Sequence, residues 1–430
     1  MAIETPANGV ATTLASGITS GATTCYLTSA TGFTNNQYHC LITDNVNFEV
    51  VEFTGLSSNL ATMQRAVETY GGSATASTFA AGSQIIVVTS VQSVQNMISQ
   101  YNGSAGKNVI INGGMDIWQR GTSFPLTNTQ IYTADRWSTS GSATSIATVS
   151  QVAAPALTGF GKALRVQRNS GASATANISI GQSLESLNSI PLAGQTVTFS
   201  FWARIGANFS GASNEITAYL VYGTGIDQNF QNGSYTGQTS IVNQSPVLTT
   251  TWQYFSYSGV VGATATELAL EFYYGPVGTA GANDYFDITG VQLELGNTAS
   301  IFSRAGGDIQ GELAKCQRYC YEMNSAQASD GYAIYSGSVQ CIATTNAIAI
   351  ITFPTTMRIA PSFTSSVATG LTTQSANGTG AALSAIALDR STPNNAELAL
   401  TCAAVLVAGN SSLLFSNGNN TSYLAFSAEL

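Results

Sequence analysis

The sequence predicts a mainly β protein, and three observations support that fold class. Charged residues make up only 8% of the 430 residues, against roughly 25% in ordinary soluble domains. Hydrophobic residues are near normal at 44%, so Ser, Thr, Asn, Gln and Gly replace the missing charge. Such residues suit short strands and turns, whereas helices use Glu, Lys and Arg to solvate their outward faces. Several segments also alternate apolar and polar residues with the period of two that is typical of half-buried strands.

The N-terminal part, residues 1–90, is predicted to be a small β-module. Residues 48–53 alternate as a strand does, and residues 85–88 form an apolar strand bounded by turn residues. A one-sided apolar stripe over residues 91–101 then predicts a short helix, and residues 102–106 form a Gly- and Ser-rich linker. This helix either packs on its own module or meets symmetry mates around a fibre axis.

Residues 107–305 are predicted to form a β-sandwich or jelly roll. The segments 196–203, 268–274 and 284–295 each place apolar residues on one face and mainly polar residues on the other. Gly290 interrupts the last of these segments and is expected to mark a β-bulge. About 200 residues of such strands is an ordinary size for this architecture.

Residues 306–430 are predicted to form a C-terminal β-domain preceded by a short helix. Asp308 is a suitable cap for that helix, whose apolar stripe runs from Ile309 to Met323. Cys316 and Cys320 are therefore expected one turn apart on its buried face. Strands follow to the end of the chain.

Charge and cysteine content exclude several classes of function. Thirteen basic and 22 acidic residues give a net charge of −9, so binding to nucleic acid or to an anionic membrane surface is not expected. Residues 398–408, the longest strongly apolar stretch, are too few to cross a membrane. The opening residues show no secretory signal. Six scattered cysteines lack zinc spacing, and the single histidine, His39, excludes most Ser–His and Cys–His mechanisms.

Several motifs resemble, in matching order, segments of a β-jelly-roll module that is widespread in bacteriophage tail fibres and related virion proteins. The motifs are NVIINGGMDIWQRGTSF from Asn108, IYTADRW ending at Trp137, QSLESL from Gln182, GQTVTFSFWAR from Gly194 and DITGVQLELGNTASIFSR from Asp287. The segments GELAKCQRYCYEM, ITFPTTMRIAPSF and YLAFSAEL resemble the helix and small β-domain that follow this module. TSATGF and VVEFTG in the first 90 residues look like a phage β-module of tail or baseplate proteins.

The resemblance implies a phage structural protein of the virion and leaves its place on the tail, the baseplate or the head open. We interpret the chain as a tail or baseplate fibre protein, made in the host cytoplasm because it shows neither an export signal nor a disulfide framework. The resemblance also implies a homotrimer with a jelly roll like a carbohydrate-binding module, which contributes to recognition of host-surface polysaccharide. The N-terminal module would attach to other virion proteins. Two alternatives stay open: a purely structural baseplate, collar or head-fibre component, and a polysaccharide-degrading tailspike.

Candidate sugar-binding residues are aromatic, because tyrosine and tryptophan rings stack on pyranose rings. Trp202 and Tyr273 lie on the polar faces of their strands, so either is a candidate to line a groove. Trp252 and Tyr274 are further candidates. Cleavage of the sugar is not expected, because the close acidic pairs Asp284/Asp287 and Glu267/Glu271 lie in strands and have a packing explanation.

A structural calcium ion is a further expectation from the resemblance, because jelly rolls of the carbohydrate-binding type often hold one near their first and last strands. Asp116, Asp284 and Asp287 lie in the corresponding regions. The alternative is that Asp287 orders a turn or pairs with an arginine. No other cofactor is expected.

The conspicuous charged residues in so uncharged a chain are Arg120, Asp135, Arg136, Arg304 and Arg318. Arg120 or Arg136 is expected to form a buried ion pair with Asp116 or Asp135 that fixes the ends of the jelly roll. Recognition of acidic sugars by these arginines is the alternative.

Overall fold

A computed structural model describes residues 10–33, 38–44, 46–68, 75–87, 107–126, 128–139, 146–157, 159–326, 332–375 and 380–430. The chain divides into two compact units, residues 1–103 and 104–430. The predicted helix and linker at 91–106 lie outside the described residues. No helix among the residues described is both long and apolar enough to cross a membrane.

The first unit is an antiparallel sheet with the strand order β1-β6-β3-β4-β5-β2. Its strands are β1 Ala11–Thr13, β2 Thr24–Tyr26, β3 Tyr38–Thr43, β4 Phe48–Ser57, β5 Leu60–Glu68 and β6 Gln84–Val87. The predicted strands at 48–53 and 85–88 correspond to β4 and β6. His39 is buried within β3, as a strand residue. Glu49 is also buried, and it is neutralised by the Arg65 guanidinium at 2.6 Å.

The central part of the second unit is a β-sandwich. Its strands are β7 Ser123–Pro125, β8 Ile131–Tyr132, β9 Ser138–Thr139, β10 Ala147–Ala153, β11 Lys162–Arg168, β12 Ile178–Ser183, β13 Thr196–Ile205, β14 Thr217–Gly223, β15 Thr239–Gln244, β16 Gln253–Val260, β17 Glu267–Tyr274 and β18 Tyr285–Leu295. The first sheet has the order β16-β13-β18-β11-β10-β7, and the second sheet has the order β15-β14-β17-β12-β9-β8.

The core of the sandwich is built from the inward-facing residues of both sheets. Phe199 and Phe201 of β13 pack against Phe272 of β17, with ring centroids 5.5 and 4.7 Å apart. All three are fully buried, as is Trp137. Since aromatic side chains bury the largest apolar areas, these contacts hold the two sheets together and leave alternate residues facing outward.

The predicted bulge at Gly290 is confirmed. Across the β13–β18 pair Ser200 lies opposite Gln292, but Trp202 lies opposite Thr289, so β18 carries one extra residue. Gly290 has φ +61°, and a Cβ there would lie 2.6 Å from the Phe160 ring. The position therefore needs glycine for both its backbone conformation and its space.

In the described ranges, helices are few and short. α1 spans Ser186–Ser189, α2 spans Ile309–Gln317, and single 3₁₀ turns occur at Ile190–Leu192, Ala212–Asn214, Phe230–Asn232 and Ala368–Gly370. Asp308 caps α2 as predicted, because its carboxylate accepts the backbone N–H of Gly311 at 2.7 Å.

The prediction that Cys316 and Cys320 share one helix is wrong. The helix α2 ends at Gln317, and Cys320 begins strand β19, Cys320–Asn324, which pairs with the last strand of the chain. Tyr319 and Tyr321 flank Cys320, and aromatic residues favour strands. Both cysteines are nevertheless buried.

The C-terminal part combines a closed barrel with a three-stranded sheet. Its further strands are β20 Ile334–Cys341, β21 Asn346–Thr352, β22 Ser362–Ser365, β23 Leu371–Ser375, β24 Gly380–Ser391, β25 Asn395–Cys402, β26 Ser411–Ser416 and β27 Tyr423–Ser427. The barrel has the order β20-β21-β25-β24-β23-β26, and β27 lies between β19 and β22.

Arginines of the sandwich and of the C-terminal part bind the last residues of the chain. Arg120 donates to the Glu429 carboxylate at 2.8 Å, and Arg136 donates to its other oxygen. Arg358 donates to the main-chain oxygens of Ala428 and Glu429. The expected pairing of Arg120 or Arg136 with Asp116 or Asp135 is therefore corrected: the partner is Glu429, which β27 brings back onto the sandwich.

Candidate functional site

A groove lies on the outer face of the second sheet, between strands β12, β14, β15 and β17. Its volume is about 370 Å³. Its lining side chains carry amide, hydroxyl, phenol and carboxylate groups: Asn177, Ser179, Tyr219, Asn243, Glu271 and Tyr273.

Strand register brings these residues together. Leu270, Phe272 and Tyr274 of β17 face the core, so the intervening Glu271 and Tyr273 face outward. Tyr219 of β14 lies opposite Glu271 on one side and opposite Asn243 of β15 on the other, which makes one row across the sheet.

The neighbouring row joins Tyr273 to Ser179, which lies directly opposite it on β12. Opposed side chains in an antiparallel pair are close enough to act together on one ligand. The two tyrosines are half-buried and the two asparagines are exposed. The two rings thus lie on the adjacent inner strands β14 and β17, with hydrogen-bonding side chains on the strands to either side. Ring surfaces next to polar groups suit sugar recognition.

Gln231 closes one end of the groove. Its amide oxygen accepts a hydrogen bond from the Ser179 hydroxyl at 3.2 Å, and its amide nitrogen donates to Glu271 at 3.3 Å. The side chain reaches this position over Gly181, where a Cβ would lie 2.3 Å from the Gln231 amide nitrogen. Phe230 packs beside it on the Tyr219 ring, with centroids 6.1 Å apart.

Glu271 is the one carboxylate among these lining residues. Burial raises the pKa of its carboxyl above the ordinary value, while hydrogen bonds from Ser179 and Gln231 oppose that rise. A carboxyl whose pKa is raised can donate as well as accept a hydrogen bond as the pH falls.

Of the four predicted sugar-binding residues, Tyr273 lies in this groove and Tyr274 does not. Tyr274 is only 3% exposed and packs in the core against Phe209 and Phe286, with ring centroids 4.7 and 5.7 Å away. The prediction that Tyr274 binds sugar is therefore wrong, because adjacent strand residues face opposite sides of the sheet and Tyr273 faces outward.

Trp202 and Trp252 lie on the other side of the sandwich, on the outer face of the first sheet. Trp202 packs against Tyr254 with ring centroids 5.2 Å apart, and the Trp252 ring lies 4.8 Å from the Arg204 guanidinium carbon. The structure therefore does not bring Trp202 and Tyr273 into one groove. The alternation of apolar and polar residues identifies Trp202 and Tyr273 as outward-facing, but it does not show which sheet each strand joins.

The three predicted calcium ligands are each paired with arginine. Asp284 and Arg168 form a fully buried pair at 3.0 Å, and Asp116 pairs with Arg304 at 2.8 Å. Asp287 pairs with two arginines. Guanidinium groups thus occupy oxygens that a calcium ion would need, so these residues as placed do not fit the ion. Within the described ranges, no group of three or more His, Cys, Asp and Glu residues is arranged to hold a metal ion.

Sequence reasoning missed five lining residues of the groove: Asn177, Ser179, Tyr219, Asn243 and Glu271. The sequence does indicate two of them through the alternation of inward and outward residues. Glu271 lies two positions before Tyr273 and so faces outward with it, and Tyr219 is an outward residue of its own alternating strand. The adjacency of β12, β14 and β15 depends on pairing between distant segments, which local periodicity does not encode.

No family model and no curated protein matches this chain. Among solved structures, the enzymatically active domain of tailspike protein 4 of bacteriophage CBA120 is 14% identical, with a TM-score of 0.29 over 44% of this chain. The match spans only 21% of that tailspike chain. A CBM4 structure is 16% identical, with a TM-score of 0.27 over 43% of this chain and 98% of its own. The CBM22-1 xylan-binding domain from Paenibacillus barcinonensis Xyn10C is 12% identical, with a TM-score of 0.28 over 46% of this chain and 99% of its own.

Proposed function

We propose that this chain binds a neutral polysaccharide in the groove of the second sheet. The observation that carries the proposal is the row of Asn243, Tyr219 and Glu271 beside Tyr273 and Ser179. Rings cover the apolar faces of a sugar, while amide, hydroxyl and carboxyl groups take its hydroxyls. The six lining residues contain one acid and no lysine or arginine, which favours a neutral sugar over an acidic one.

The biological setting that we propose is a bacteriophage tail or baseplate fibre. The ordered virion motifs and the low-charge, hydroxyl-rich composition support this setting. In it, the chain forms a homotrimer, its N-terminal module binds other virion proteins, and the sandwich contacts host-surface polysaccharide during adsorption. Three weak sites on one fibre then act together through avidity. Light scattering from the full chain tests the trimer, and a monomer at micromolar concentration contradicts it.

We propose binding without cleavage. Glycoside hydrolysis generally uses two carboxyl groups about 5 to 10 Å apart, and Glu271 is the single acid among the lining residues of the groove. The competing function is a polysaccharide-degrading tailspike. Release of oligosaccharides from host polysaccharide by the full chain would establish that function instead.

A second candidate is a purely structural baseplate, collar or head-fibre component. The observation in its favour is a cleft of about 570 Å³ on the C-terminal barrel, which Tyr332, Ile334, Leu413 and Phe415 help to line. Ile334 is 70% exposed, and exposed apolar surface of this kind suits contact with another protein.

Replacement of Tyr273 by alanine tests the sugar-binding proposal. We expect affinity for host cells and for their extracted neutral polysaccharide to fall about tenfold, since loss of one ring from a small site costs on the order of 1–2 kcal/mol. Tyr26→Ala is the matched control, because Tyr26 is 54% exposed and belongs to the first unit. Equal polysaccharide binding by both folded variants would contradict sugar binding in the groove and favour the purely structural role.

A further inference from the structure

The outer face of the first sheet carries a row of charged and aromatic side chains that the groove does not use. Arg204 of β13 lies opposite Asp287 of β18, and Asp287 lies opposite Arg165 of β11. Trp252, just before β16, extends the row beyond Arg204. Three adjacent strands thus place one carboxylate between two guanidinium groups, with one guanidinium group on each side.

The charges in this row do not balance. Asp287 is fully buried and accepts hydrogen bonds from Arg165 Nε at 2.7 Å, Arg165 Nη2 at 3.0 Å and Arg204 Nε at 2.9 Å. One bidentate arginine would already neutralise it. The second arginine leaves the row with a net charge of +1, in a chain that has only 13 basic residues.

Both arginines pack on aromatic rings and still reach solvent. The Arg165 guanidinium carbon lies 3.5 Å from the Tyr285 ring centroid, and that of Arg204 lies 4.8 Å from the Trp252 ring. Their side chains are 21% and 16% exposed. Across the described part of the chain, Arg204 uses only its Nε in a hydrogen bond, so its two terminal amino groups are available to a further acceptor.

Aromatic rings continue beside this row. Trp202 lies two residues before Arg204 on the same outward face, and Tyr254, 43% exposed, packs against it. A guanidinium group next to one exposed ring and two half-buried rings is suited to a sugar that carries an anionic group. The guanidinium binds the anion through paired hydrogen bonds, and the rings stack on the pyranose.

We propose that this face is a second saccharide site, selective for sugars bearing a carboxylate or phosphate group. Arg204 is its main anion-binding residue, and Trp252, Trp202 and Tyr254 supply the ring surface. The site lies on the opposite side of the sandwich from the groove and takes a different chemical class of sugar. Because the whole chain is acidic, recognition depends on these short-range contacts rather than on long-range attraction.

The test is binding of the full chain to polygalacturonic acid, with its methyl-esterified form as the neutral counterpart. Arg204→Gln removes the proposed anion contact and leaves Asp287 its bidentate Arg165, so the fold should persist. We expect affinity for the acid polymer to fall about tenfold. Arg390→Gln is the matched control, since it removes the same charge from a side chain that is 76% exposed on the barrel.

Two further arms identify the ligand. A glycerol-phosphate sugar polymer distinguishes phosphate from carboxylate, and polyglutamate, which has no sugar ring, tests whether any polyanion suffices. If Arg204→Gln does not fold, Trp252→Ala replaces it, and its loss of binding supports the proposal equally. Equal affinity for the acid and esterified polymers, unchanged binding by a folded variant, or equal binding of polyglutamate would overturn it. Tyr273→Ala should leave binding of the acid polymer unchanged. Failure of this proposal can therefore be distinguished from failure of the proposed sugar binding in the groove.

Discussion

At the scale of single residues, Gly181 determines how the groove is closed. An alanine there would place its Cβ 2.3 Å from the Gln231 amide nitrogen and 2.5 Å from the Leu270 carbonyl oxygen. The carbonyl belongs to the paired strand β17 and has little freedom to move. Gly181→Ala is therefore expected to displace Gln231, lower the free energy of unfolding by about 1–3 kcal/mol and weaken binding of neutral polysaccharide.

Denaturant unfolding and a polysaccharide-binding assay measure these two effects. Gly161→Ala is the control, because a Cβ at Gly161 has no neighbour within 4 Å. Polysaccharide binding by Gly181→Ala at the level of the control would show that Gln231 has no part in the groove.

At the scale of elements, the strands were the most predictable part of the fold. Alternation identified the regions of β4, β13, β17 and β18, and even the bulge at Gly290. Alternation also separates inward from outward residues. Tyr274 directly follows the outward-facing Tyr273, so alternation places it in the core. Alternation does not state strand order, so Trp202 and Tyr273 were grouped although their strands belong to different sheets. Register between distant segments created most of the groove.

Strand β19 carries an acid whose ionisation should affect stability. Burial, the largest cause, raises the pKa of Glu322 from 4.5 to about 7, against the opposing charge of Arg120. The folded chain therefore keeps this proton at pH values where the unfolded chain has released it, and stability falls as pH rises through this range. Glu322→Gln should match the wild type below about pH 4.5 and exceed its free energy of unfolding by about 1–2 kcal/mol above pH 7.

Chemical denaturation of the second unit at about pH 3.5 and about pH 8, each about one unit outside the titration range, provides the measurement. The same stability difference between variant and wild type at both pH values would mean that Glu322 does not titrate as inferred.

At the scale of the whole molecule, Glu429 links the end of the chain to the sandwich. Its carboxylate lies between Arg120 and Arg136, and Arg136 is only 2% exposed. Glu429→Ala leaves that buried guanidinium without its carboxylate partner, an effect that typically costs about 3–5 kcal/mol. We expect a loss of this size in the unfolding transition of the second unit, with the transition of the first unit unchanged.

Glu397→Ala is the comparison, because Glu397 contacts the exposed Arg390 at 3.8 Å. A surface pair of this kind contributes about 1 kcal/mol or less. If Glu429→Ala and Glu397→Ala lower stability equally, Glu429 is not the link that the structure indicates.

The six cysteines are all free and buried, so the reactivity of their thiols reports local or global unfolding of the protein. Burial raises the pKa of Cys25 to about 11 and that of Cys316 well above its ordinary value, so neither forms much thiolate in the folded chain. An alkylating reagent should therefore react only after local or global unfolding. Cys25 and Cys40 report on the first unit, and the other four on the second. Mass spectrometry of the labelled peptides can thus time the opening of each unit in the unmodified protein.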